Sequence, residues 1–144
     1  MARVLIVDDD EDFTVAAAEM LRLADHEVAV EPRADAALAR MREQRPDLVI
    51  LDVMFPQGSS AGFEVARTMR ADAFLAGVPI LMLTAVGQKF PYGFGPPDID
   101  GESLPVDDFV EKPVEPEVLR SKVSALIAQA GARETTGEEG SSPA

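Results

Sequence analysis

Apolar residues along this 144-residue chain follow two alternating patterns. Short unbroken runs occur at Val4-Leu5-Ile6-Val7, at Leu48-Val49-Ile50-Leu51 and from Val78 to Leu83. Each predicts a strand covered on both faces, since a strand with one wet face would alternate apolar with polar residues. Glu27 to Glu31 does alternate and predicts a strand with one face less covered. Asp108 to Glu111, carrying Phe109 and Val110, predicts a last strand. Between the runs, apolar residues recur every three or four positions, as on one face of a helix. Phe13, Ala17, Met20, Leu21 and Ala24 mark a helix from about Asp12 to Ala24. Ala34, Ala37, Leu38 and Met41 mark a second, stopped before Pro46. Phe63, Val65, Ala66 and Met69 mark a third, from Gly62 to Arg70. Val118, Leu119, Val123, Leu126, Ile127 and Ala130 mark the last, with Pro116 suited to its first turn and Gly131 to its C′ position.

The pattern breaks from Val86 to Pro105, which holds Pro91, Pro96, Pro97, Pro105 and four glycines. No long helix is predicted there; the fourth helix of the alternation is shortened or replaced by an irregular loop. Strands alternating with helices imply an α/β, doubly wound parallel sheet with right-handed crossovers. The five-stranded solution has the flavodoxin-like order 2-1-3-4-5. The predicted domain covers residues 1–130. Residues 131–144, rich in Gly, Ser, Thr and Glu, predict a disordered tail.

Composition narrows the function. A net charge of −13 disfavours a nucleic-acid surface and an anionic membrane, part of it coming from Glu134, Glu138 and Glu139 in the tail. There is no cysteine, hence no disulfide or thiolate metal site, and no apolar run approaches a membrane span. With no signal-peptide pattern at the N-terminus, a cytoplasmic protein is expected.

The strand ends carry the chemistry. The first runs out at Asp8-Asp9-Asp10, the third at Asp52, the fourth at Thr84 and the last at Lys112-Pro113. Ligands of open α/β sheets sit beyond the carboxyl ends of the strands, at the switch point, which here lies between strands 1 and 3. Carboxylates crowded at that rim repel one another, by about 4 kcal/mol for a pair 4 Å apart at an effective dielectric of 20. A hard cation relieves this, and all-oxygen ligands suit Mg2+. Asp52 is the candidate nucleophile toward phosphorus, Thr84 a hydrogen-bond donor and Lys112 the counter-charge for phosphoryl oxygens. Asp10 reads as a helix-start charge, His26 as a solvated turn residue, and Phe90, Tyr92 and Phe94 as packing for the irregular stretch.

Four motifs in order, Val7-Asp8-Asp9-Asp10, Leu51-Asp52-Val53-Met54-Phe55-Pro56 with Gly62-Phe63-Glu64-Val65, Pro79-Ile80-Leu81-Met82-Leu83-Thr84-Ala85, and Asp108-Phe109-Val110-Glu111-Lys112-Pro113, resemble the response-regulator receiver domain of two-component signalling. The resemblance covers residues 2 to about 130. It implies phosphorylation of Asp52 by a sensor histidine kinase or phosphotransfer protein. It also implies Mg2+ held by Asp8, Asp9, Asp52 and the Met54 carbonyl, phosphoryl oxygens held by Thr84 and Lys112, a Thr84–Phe109 switch and a cis Lys112-Pro113 bond. The loop after Asp52, at Gln57 to Ala61, is about two residues longer than the family's. The stretch before the last strand departs further and puts the usual dimerisation face in doubt. A stand-alone switch is expected, monomeric or weakly dimeric, with output by protein contact and no separate substrate turnover. The alternative is a receiver-fold interaction module working without phosphorylation. A phosphohydrolase of the haloacid-dehalogenase type would need an Asp at position 54, where this chain has Met.

Overall fold

A computed structural model describes residues 2–52, 61–85, 106–112 and 114–141. The order is β1 (Arg3–Val7), α1 (Glu11–Leu23), β2 (Glu27–Glu31), α2 (Ala34–Glu43), β3 (Leu48–Asp52), α3 (Ala61–Ala71), β4 (Ile80–Ala85), β5 (Asp108–Lys112) and α4 (Pro116–Ser141). All strand pairs are parallel and the sheet order is β2-β1-β3-β4-β5. The predicted α/β topology is therefore present. The Val86–Pro105 stretch, the Gln57–Ser60 part of the loop after β3, Met54 and Pro113 lie outside the described residues.

The unbroken apolar runs are explained by cover on both faces. Val4, Ile6, Leu48, Ile50, Leu81 and Leu83 point to a core shared with α1 and α4. Their neighbours Leu5, Val7, Val49, Leu51, Ile80 and Met82 point to a core shared with α2 and α3. Adjacent residues thus serve opposite layers, the period-two geometry of a strand.

Three expectations are corrected. On α1 the stripe against the sheet is Thr14, Ala17, Ala18 and Leu21, while Phe13 and Met20 flank it and are only partly buried. Thr14 tolerates burial because its hydroxyl donates to the Glu11 carbonyl at 3.1 Å, one turn back. His26 is half-buried, not solvated, and its Nδ1 accepts from the Ala2 N–H at 3.3 Å. The backbone of α4 stays helical through Gly131 to Ser141; glycine inside a helix costs about 1 kcal/mol, which favours a stop without compelling one. At the end of α1, Asp25 takes a left-handed φ of 71°, a conformation that short polar side chains tolerate, and turns the chain into β2.

The amino edge of the sheet is closed by one network. Arg70 of α3 donates from Nη1 to the carbonyls of Ala76 and Val78, at 2.9 Å each, and from Nη2 to Asp107 Oδ2 at 2.6 Å. The same Asp107 oxygen accepts the Ile80 N–H at 2.8 Å.

Candidate functional site

The carboxyl edge is built differently. β1 and β3 are neighbours, with Val7 beside Leu51, so the next residue along each brings Asp8 and Asp52 together. β4 and β5 end beside them, with Thr84 opposite Glu111 and Ala85 opposite Lys112. Four strand ends, the outermost 104 positions apart, therefore meet at one rim. Carboxylate oxygens of Asp8, Asp9 and Asp52 all lie within 4.8 Å of one another. Asp8 and Asp52 are buried, at 1% and 6% exposure, whereas Asp9 is exposed.

Each acid is held in its own way. Asp8 Oδ1 accepts the Asp10 N–H at 2.9 Å, which turns its other oxygen inward. Asp10 caps α1, its Oδ1 accepting the Phe13 N–H at 3.2 Å, which supports its reading as a helix-start charge. Lys112 Nζ reaches across the rim to within 2.7 Å of Asp8 Oδ2, 3.8 Å of Asp10 Oδ2 and 4.0 Å of Asp52 Oδ1. The contact with Asp8 is an ion pair without hydrogen-bond alignment, and among the described residues no donor is aligned on the buried Asp8 Oδ2. The ammonium also lies over the Phe13 ring, 4.7 Å from its centroid.

A metal ion suits this arrangement. The donors are all carboxylate oxygens, the preference of Mg2+. The buried Asp8 Oδ2, with the Lys112 ammonium beside it and no aligned donor among the described residues, is also an oxygen that a second cation would satisfy. Beside Asp8 and Asp9 a cavity of about 790 Å3 opens along α1, between Thr14, Val15 and Ala18 and the Val30–Pro32 end of β2.

The sequence profile described as "Response regulator receiver domain" matches residues 4–124. The chain belongs to the response regulator receiver family. This receiver is 37% identical over 139 residues to the transcriptional regulatory protein AfsQ1 of Streptomyces coelicolor, covering 94% of this chain and 55% of that one. It is 38% identical over 125 residues to the DNA-binding response regulator MtrA of Mycolicibacterium smegmatis, covering 87% and 50%. The chain spans about half the length of the curated relatives it matches. Among solved structures, a response regulator from Chloroflexus aurantiacus J-10-fl superposes with a TM-score of 0.74 at 31% identity, covering 88% of this chain and 98% of that one.

The acids and the lysine named from sequence are brought together in the receiver. Thr84 is the last residue but one of β4, and Phe109 is the second residue of β5, partly buried against the α2–α3 core and in register with Met82. The Met54 carbonyl, named above as a ligand, falls outside the described residues. Sequence reasoning missed the Phe13 ring over Lys112. The signal available was the place of Phe13 in the first turn of α1, three residues after the capping Asp10.

Proposed function

We propose that the receiver is the phosphoacceptor switch of a two-component system, taking a phosphoryl group on Asp52 in a Mg2+-dependent reaction. The observation that carries this reading is the meeting of Asp8, Asp9 and Asp52 at the switch point of the sheet, with the Lys112 ammonium against Asp8 and near Asp52. Asp8, Asp9 and Asp52, with the Met54 carbonyl, would hold the ion. When bound, the ion supplies positive charge for the non-bridging phosphoryl oxygens.

The chain's own residues do the rest. An Asp52 carboxylate oxygen forms the bond to phosphorus as the P–N bond of a phosphohistidine breaks. The electron pair leaves with the imidazole, which takes a proton from solvent. Lys112 moves from Asp8 toward the oxygens on Asp52, and Thr84 donates a hydrogen bond to them. Phe109 follows Thr84 and passes the change to neighbouring surface, a shift between two packed states. The donor is a sensor histidine kinase or phosphotransfer protein, and the receiver turns over no separate substrate. This domain acts through protein contacts as a monomer or weak dimer in the cytoplasm. Its own acidic surface does not suit DNA, even though relatives such as MtrA are DNA-binding regulators.

Incubation with acetyl phosphate and magnesium is expected to produce one acid-stable, base-labile adduct on Asp52, absent from Asp52→Asn. No adduct on the parent chain would overturn the phosphorylation reading and leave the interaction module.

A further inference from the structure

Among the described residues, three kinds of group surround the Lys112 ammonium: a carboxylate that it touches, two carboxylates that it approaches, and one aromatic ring. The ring is the odd member. Asp8, Asp10 and Asp52 attract the ammonium but also compete for it, and it rests on Asp8, at 2.7 Å, and not on Asp52, at 4.0 Å. A lysine ammonium is a point charge on a flexible stem, so carboxylates alone give it no preferred seat among them. The face of the Phe13 ring, with its centroid 4.7 Å from Nζ, attracts the cation without carrying charge. It therefore takes no part in the rivalry among the acids and would not repel an incoming phosphoryl group.

The ring is also well anchored. The Phe13 N–H is held by Asp10 Oδ1 at the helix cap, and its side chain packs at the border of the α1–α4 core. The other oxygen of that same Asp10 faces Lys112 at 3.8 Å. One helix start thus sets both the ring and a carboxylate around the ammonium. Packing alone does not call for this, since an aliphatic side chain could fill a half-buried place at the edge of a helix.

We propose that Phe13 is a positioning residue for phosphoryl transfer at Asp52. Its ring face holds the Lys112 ammonium at the rim, within reach of Asp52, and limits how far it strays into solvent. This rests on the Asp52 reading above.

The test compares Phe13→Leu and Phe13→Met, which remove the ring, with Phe13→Tyr, which keeps it, all in the full chain. By proton NMR without any phosphodonor, the Lys112 ε-methylene signals lie upfield of those of the other lysines in the parent and in Phe13→Tyr. They move back in the two ring-less variants. At saturating acetyl phosphate and magnesium, the phosphorylation rate falls about fivefold without the ring and stays within about twofold in Phe13→Tyr. The half-saturating donor concentration does not change. A parental rate in the ring-less variants, an equal loss in Phe13→Tyr, or a Lys112 signal indifferent to the ring would each overturn the proposal. The second ring-less variant serves if the first does not fold. If the parent takes up phosphate on Asp52 and the ring-less variants match it, only the role of Phe13 falls. If the parent takes up none, the Asp52 reading falls and this one with it.

Discussion

The two edges of the sheet each carry a charged cluster, and the clusters are built on opposite plans. At the amino edge Arg70 and Asp107 are matched one to one. Asp107 Oδ2 accepts from both Arg70 and the Ile80 N–H, and Arg70 also satisfies two carbonyls. At the carboxyl edge, among the described residues, one ammonium faces three carboxylates, and the buried Asp8 oxygen that it touches has no aligned hydrogen-bond donor. A matched network rigidifies a fold, while carboxylates crowded around one ammonium favour the binding of a further cation. The difference separates a structural ion pair from a candidate site, and burial follows it: Asp107 is half-buried, whereas Asp8 and Asp52 are buried.

The largest expected effect comes from substituting one acid at each edge. Asp107→Ala leaves the Arg70 guanidinium and the Ile80 N–H short of a partner and should cost about 2 kcal/mol. Asp8→Asn relieves carboxylate crowding and should leave stability without magnesium within about 1 kcal/mol of the parent, on the stabilising side. Urea titrations with unchanged slopes check both, and a large loss from Asp8→Asn would erase the contrast between the edges. A smaller effect sharpens it. Magnesium at ten times its dissociation constant should raise the stability of the parent by about 1.4 kcal/mol. Asp8→Asn should lose most of that rise and Arg70→Lys should keep it, as thermal melts with and without the ion can show.

The smallest effect concerns a third pair, on the α2–α3 face. The hydrogen bond from Arg42 holds the Asp72 carboxyl below the ordinary aspartate range. A carboxyl whose pKa is lowered by folding stabilises the fold above its unfolded value, and the benefit fades as pH falls through the folded one. Asp72→Asn should therefore be slightly less stable than the parent near neutrality and flatten part of the stability loss below about pH 4, so that the two converge at low pH. Stability measured across pH 2–7 checks this, and a difference as large at pH 2 as at pH 7 would contradict it.

Much of the architecture was readable in advance. The runs at Val4–Val7 and Leu48–Leu51 announced doubly covered strands, and the position of an acid after each led to the carboxyl edge. The limits of α1, α2 and α3 follow the apolar spacing to within a residue or two. The β4 strand begins at Ile80, with Val78 buried ahead of it. Less legible was which flank of a helix would lie on the sheet. Thr14 and Ala18 are buried where Phe13 and Met20 were expected to be, because small side chains let α1 approach the sheet while larger ones sit better at its margins.

Local pattern by itself determined the elements, their parallel order and the set of chemical groups at the strand ends, since period-two and period-3.6 burial are properties of short stretches of chain. Tertiary structure alone decided that Lys112 rests on Asp8 more closely than on Asp52, that Phe13 lies against the ammonium, and that Asp107 closes the amino edge with Arg70. These contacts join residues 37 to 104 positions apart. They depend on the register of β5 against β4 and on the tilt of α1, which no short-range pattern encodes.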